Sequence, residues 1–159
     1  MKGNEQLLTV LNQLLADELT AISEYMVHAE LVEEWGYGKL HKALKHQAKD
    51  EMHHAEWLVE RILFLEGAPV MTKLNAMKFG KDVPAMLGFN QDGEEAAVKA
   101  YNHAITVARL ASDEGTADLC LKILKMEEGH MDGAERQRTQ IAQMGLQNYL
   151  ARQTKGATK

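Results

Sequence analysis

Six residues of the chain combine acid and imidazole at fixed spacing. They are Glu18, Glu51 and His54 in the first half, and Glu94, Glu127 and His130 in the second. Adding 76 to each number of the first set gives the second. The same shift carries Ala21, Ile22 and Tyr25 onto Ala97, Val98 and Tyr101. Each half thus reads Glu-x-x-Ala, Ile or Val, x-x-Tyr, and then Glu-x-x-His, with its two glutamates 33 positions apart. A pattern repeated this way marks a doubled structural unit. One Glu-x-x-His is a weak signal, because salt-bridged or solvated residues produce it too. Two copies, each preceded by a glutamate at equal spacing, are a strong one. Carboxylate oxygens together with imidazole nitrogens suit iron or manganese better than a structural zinc. Four carboxylates carry −4 and two neutral imidazoles carry 0, so two divalent cations balance the set.

Such residues need elements that turn them inward. At about 100° per residue on a helix, Glu18 shares a stripe with Leu11, Leu14, Ala21, Ile22 and Tyr25. Glu51 and His54 share one with Ala55, Leu58, Ile62 and Leu65. Glu94 falls with Ala97, Val98, Tyr101 and Ile105, and Glu127 and His130 with Cys120, Ile123, Leu124 and Ala134. In "KDEMHHAEW" (49–57) only His54 lies on the face of Glu51, and the position matching His53 in the second half is Gly129. His53 is therefore expected to face solvent.

The periodicity predicts helices at about 4–35, 39–66, 83–113 and 116–144, with a short fifth at 146–153. "WGYGK" breaks the first pair. "GAPVMTKLNAMKFGKD" (67–82) is long for a helix–helix connection and suits a crossover spanning a bundle. Asp82 is expected to cap the third helix, with Pro84 in its first turn, and Thr116 to cap the fourth. Two hairpins joined by one long crossover make an all-α, ferritin-like four-helix bundle over a single domain, 1–159. The midpoints of 18 and 51 and of 94 and 127 fall at or near the two hairpin turns, which sets all four glutamates at one level. The tail 154–159 is expected to be disordered.

The chain has 159 residues, 45% of them hydrophobic, and a formal net charge of −5. No run of Lys and Arg stands out, which argues against nucleic acid as a partner. The single cysteine, Cys120, excludes an internal disulfide and reads as a small core residue. Asn12 and Gln13 interrupt the apolar N-terminal stretch, so neither a signal peptide nor a membrane span is expected. The reading is a cytoplasmic protein.

Nearly end to end, the sequence resembles the bacterioferritins: "MKG" at the start, "DEMHHAE" (50–56), "ERILFLEG" (60–67) and "MGLQNYL" (144–150). The resemblance implies a hollow octahedral shell of 24 subunits, built from two-fold dimers of this chain, that stores iron. It implies a ferroxidase centre with two iron ions per subunit. Glu51 and Glu127 would bridge the irons, Glu18 with His54 and Glu94 with His130 would complete their shells, and Tyr25 would stand nearby. It also implies haem b shared between two subunits, with Met52 from each as axial ligand. A ferredoxin-type reductant would serve iron release. The residues lend Met52 partial support. It lies about 100° from Glu51, on a second apolar stripe with Ala48, Val59 and Leu63, and the first helix has a matching stripe at Leu8, Leu15, Leu19 and Met26. Two apolar faces on one helix pair call for a partner outside the bundle. Packing in that interface is the plainer fate of Met52. Its polar neighbours Lys45, Lys49 and His53 would either pair with haem propionates or weaken haem binding.

The leading function is therefore oxidation of Fe(II) by oxygen or peroxide, followed by storage of the ferric mineral. The alternative is a di-iron oxidase or peroxidase without a storage role. Rubrerythrin-like proteins usually add a Cys-x-x-Cys module, which one cysteine excludes, and DNA-protecting mini-ferritins place the metal between subunits. A purely structural bundle leaves six ionisable residues on core stripes unexplained. His46 and Asp50 read as a solvated pair rather than a cavity iron site, and His28, His41 and His103 as surface residues.

Overall fold

The structure is a computed structural model that describes residues 1–154. Five helices follow in order: α1 (Glu5–Glu34), α2 (Gly38–Phe64), α3 (Val83–Leu110), α4 (Glu114–Met144) and α5 (Leu146–Gln153). There is no strand among the described residues. α1 pairs with α2 and α3 with α4, the two hairpins meet along α1 and α3 and along α2 and α4, and α5 rests on α4 and α2. The architecture is the one the hydrophobic periodicity predicts. The expected tail falls, beyond Thr154, outside the described residues.

The hairpin turns repeat as the ligands do. Just past the ends of α1 and α3, Gly36 and Ser112 both take positive φ (87° and 57°), and these positions are 76 apart. After each, two backbone N–H groups reach back to the last turn: Gly36 and Tyr37 to Glu33 and Val32, Ser112 and Asp113 to Arg109 and Ala108. This closure satisfies otherwise orphaned carbonyls. It also ends α3 at Leu110 rather than near 113.

Asp82 caps α3 as expected, accepting from the Ala85 N–H at 2.9 Å, with Pro84 in the first turn. Thr116 does not cap α4; Asp113 does. Its Oδ1 accepts from the Thr116 N–H at 3.0 Å and its Oδ2 from the Thr116 hydroxyl at 2.7 Å. Asp113 stands just ahead of the helix, where its carboxylate reaches the free Thr116 N–H, whereas Thr116 lies inside the first turn and its hydroxyl serves as a donor to the same cap. Arg61 of α2 donates to Asp113 as well, at 2.7 Å, and so ties the hairpins together at this end.

The crossover, residues 65–82, runs back along α1 and is bonded to it step by step. Asn12 accepts from the Val70 N–H, Thr20 from the Asn75 N–H, and Glu24 from the Lys78 N–H. The last step corrects the expectation for His28, which is fully buried. Its Nε2 accepts from the Gly80 N–H at 3.2 Å, so Nδ1 carries the proton and donates to Asn90 at 2.9 Å. Burial pushes its pKa below the usual value. Gly80 has no room for a side chain, since a Cβ there would lie 2.3 Å from the Met86 nitrogen. His41 is half-buried and bonds the Ala29 carbonyl from Nδ1, so it too is more than a surface residue. His103 is exposed.

The core falls into two clusters, one around Leu11, Leu58, Ile62, Ile105 and Ile123, the other around Tyr25, Val32, Leu44, Met86 and Leu87. Cys120 packs in the first, and burial pushes its thiol up to about 12. Four buried glutamates, Glu18, Glu51, Glu94 and Glu127, come from the four long helices.

Candidate metal centre

Each of the four helices sends one glutamate inward, and α2 and α4 add a histidine one turn on. The structure brings all six residues into two overlapping groups. Glu18, Glu51, His54 and Glu127 form one, and Glu51, Glu94, Glu127 and His130 the other, with ligand atoms within 4.8 Å of one another in each. Glu51 and Glu127 belong to both. Each turns one oxygen to each histidine. Glu51 Oε2 is 2.8 Å and Glu127 Oε1 3.1 Å from His54 Nδ1, while Glu51 Oε1 is 3.2 Å and Glu127 Oε2 3.0 Å from His130 Nδ1. Glu18 stands 3.5 Å from His54 and Glu94 3.8 Å from His130. The imidazole centroids are 6.2 Å apart.

The two tyrosines of the repeat cross over. The Tyr25 hydroxyl donates to Glu94 and the Tyr101 hydroxyl to Glu18, so each half supports a glutamate of the other. Gln47 donates to the Tyr25 oxygen at 3.3 Å. A cavity of about 310 Å³ opens between α1 and α3 onto Glu18, Glu51, Glu94 and Glu127, and Asp17, Glu24 and Asp92 are among its lining residues.

With protons alone, the cluster compensates its charge as best it can. Burial raises Glu18 well above the usual carboxylate value and Glu94 to about 8. Burial acts the same way on Glu127, but His130 and His54 outweigh it and hold that carboxyl well below the usual range. For His54 burial favours the neutral ring, yet Glu127, Glu18 and Glu51 outweigh it and raise the pKa to about 12. His130 is raised in the same manner by Glu127, Glu51 and Glu94. Imidazolium protons thus stand where metal cations would. The fit to a metal is better than the fit to protons. Glu51 Oε2 and His54 Nδ1 are buried and only 2.8 Å apart, yet neither makes a directed hydrogen bond. Two buried polar atoms that share a space without a directed hydrogen bond fit a metal ion that would take both in place of the proton.

Sequence reasoning missed several contributors. Tyr101 was legible as the repeat partner of Tyr25. Asp50 was read as solvated, but it is half-buried and its Oδ2 lies 3.1 Å from His130 Nε2 as well as 3.4 Å from the exposed His46. Met126 places its sulfur 3.4 Å from His54 Nε2, and Trp57 packs on the His54 ring at 5.8 Å. His53 is largely exposed, as expected, beside Glu56 and Trp57. Met52 is 46% exposed, on the side of α2 away from the six-residue cluster.

The bundle with one long crossover and a core of clustered carboxylates and imidazoles defines a metal-binding four-helix protein. A family description, "Ferritin-like domain", matches residues 8–144, and the chain belongs to that family. Over 154 residues it is 39% identical to a "Bacterial ferritin" of Synechocystis sp., covering 96% of this chain and 99% of that one. It is 40% identical over 152 residues to a "Bacterial ferritin" of Paramagnetospirillum magnetotacticum (94% and 93% covered), and 36% identical over 149 residues to a "Bacterioferritin" of Rhodobacter capsulatus (94% and 92% covered).

Proposed function

We propose that the protein oxidises Fe(II) at a dinuclear centre formed by Glu18, Glu51, His54, Glu94, Glu127 and His130, and stores the ferric product inside a shell of its own copies. The observation that carries this reading is the pair of overlapping ligand groups sharing Glu51 and Glu127. Two ferrous ions supply two electrons, which reduce dioxygen to peroxide or peroxide to water, with two protons taken up by the reduced oxidant. Glu51 and Glu127, which belong to both ligand groups, would hold the two ions side by side, so that both electrons would be delivered at one place. Tyr25 and Tyr101 hold Glu94 and Glu18 in their terminal positions. The names of the relatives support storage over a free-standing oxidase.

Shell assembly and haem belong to the same reading. α1 and α2 expose Met26, Met52 and Leu63, a surface suited to a second copy. Met52 fits a haem iron in that its thioether is accessible on an apolar side of the hairpin, with Lys45 and Lys49 exposed for acidic groups. Bound haem would supply one-electron transfer for reducing stored mineral. No helix among the described residues is long and apolar enough to cross a membrane.

The test is aerobic addition of Fe(II), followed by ferric absorbance, beside light scattering for particle size. Rapid oxidation by a large hollow particle is expected, with Glu127→Ala and Glu18→Ala greatly slowed. Equal rates in all three proteins would refute the centre, and a stable lone dimer under all conditions would refute storage. Loss of a bis-thioether haem spectrum in Met52→Ala is expected, and its retention would refute the axial role.

A further inference from the structure

We propose that the two cation positions of the centre are unequal because Met126 stands where the repeat calls for a partner to Asp50. The inference rests on the dinuclear reading above. Both histidines turn Nδ1 toward the carboxylates, so both Nε2–H groups point away from the centre and need an acceptor. His130 finds a carboxylate, with Asp50 Oδ2 at 3.1 Å. His54 finds a thioether, with Met126 Sδ at 3.4 Å. Sulfur in a thioether is a weak acceptor.

The two acceptors occupy equivalent places, since 126 is 50 plus 76. Each belongs to the hairpin opposite the histidine it touches: Asp50 on α2 meets His130 on α4, and Met126 on α4 meets His54 on α2. The carboxylates around the two positions match. Both positions share Glu51 and Glu127, and each has one further glutamate held by a tyrosine of the other half. What differs is the group behind each imidazole. A carboxylate behind a ligating histidine fixes the ring and makes its other nitrogen a stronger donor, and it adds a negative charge near the cation. His54 has neither aid. Its ring is fully buried, with Trp57 packed on it at 5.8 Å and Lys122 Nζ lying 3.6 Å from the Trp57 ring centroid.

The first divalent cation therefore seats on the His130 side and stays, and the second seats on the His54 side and exchanges. Changes to such outer partners typically alter metal affinity about 10–100-fold, and a gap of that size is expected between the two steps.

The experiment titrates metal-stripped, intact protein with Co(II) without oxygen, read by visible absorption and calorimetry. Two steps separated by about 10–100-fold are expected. Met126→Asp should merge them, and Met126→Gln, a neutral acceptor, should narrow the gap. His130→Ala should remove the tight step. In the charge-matched exchange Asp50→Met with Met126→Asp, it is His54→Ala that should remove it. Two equal steps in the unaltered protein, or a gap that neither Met126 variant changes, would overturn the inequality and leave the dinuclear reading standing. No cobalt binding at all would overturn the dinuclear reading itself.

Discussion

The α1–α2 hairpin and the α3–α4 hairpin bring the same residues to the buried cluster, one Glu from one helix and Glu-x-x-His from the next, but surround them differently. Inside the bundle they match to the residue: Glu18 with Glu94, Tyr25 with Tyr101, Glu51 with Glu127, His54 with His130. Outside they part. The first hairpin exposes Met26, Val27, Trp35, Met52, Leu63 and Phe64, whereas the second exposes only Leu110 among its large apolar residues. At the hairpin turns, Tyr37 precedes α2 with no side-chain cap, while its repeat partner Asp113 caps α4. Two identical demands, a four-carboxylate cage and a buried seam, hold the inner faces alike. The outer faces meet different surroundings and are free to differ.

Breaking the shared interior should have the largest effect, and should be indifferent to which hairpin is broken. Glu51→Ala and Glu127→Ala each remove a ligand from both positions and should each slow Fe(II) oxidation by about 100-fold or more, measured by stopped-flow ferric absorbance. A large difference between them would show that the halves are not equivalent at the bridge.

The tyrosines come next. Tyr25→Phe and Tyr101→Phe each leave a buried carboxyl oxygen, of Glu94 and of Glu18, without its donor, a loss of about 1–3 kcal/mol. Thermal unfolding of the metal-free protein should show the two variants destabilised to a similar degree.

A third measurement probes the electrostatics that both halves share. Glu94 holds its proton up to about 8 and His54 up to about 12 without metal, so cations must displace protons on binding. Co(II) affinity should rise as pH increases from about 6 to 8. Proton release should be seen as a dependence of binding heat on buffer ionisation, and a flat affinity would count against direct competition.

The smallest effect belongs to the turns. Asp113→Ala removes the α4 cap and should lower stability by about 0.5–2 kcal/mol. Tyr37→Ala removes no cap and so tests packing alone. Equal losses would mean that the contact with Arg61 and the Thr116 bonds contribute little.

Helix number, the crossover and all six inward-facing residues were legible in the chain, because a helix turns every third and fourth residue the same way and the repeat of 76 checked each choice. Thr116 misled because the periodicity carries the third helix to about 113 and so hides Asp113, which the turn after Leu110 frees to cap α4. His28 misled because nothing local shows that the crossover will close over it at Gly80. Asp50 and Met126 lie one residue before Glu51 and Glu127, off the core stripe, where helical phase alone assigns them to solvent.

By itself the sequence determined what the interior must contain. Periodicity and an internal repeat are properties of one helix and its copy, and they need no knowledge of the neighbours. Only the tertiary structure decided what lies behind each ligand. An Nε2–H on one hairpin finds its acceptor on the other, and which atom it meets, a carboxylate for His130 or a sulfur for His54, follows from the packing of α2 against α4.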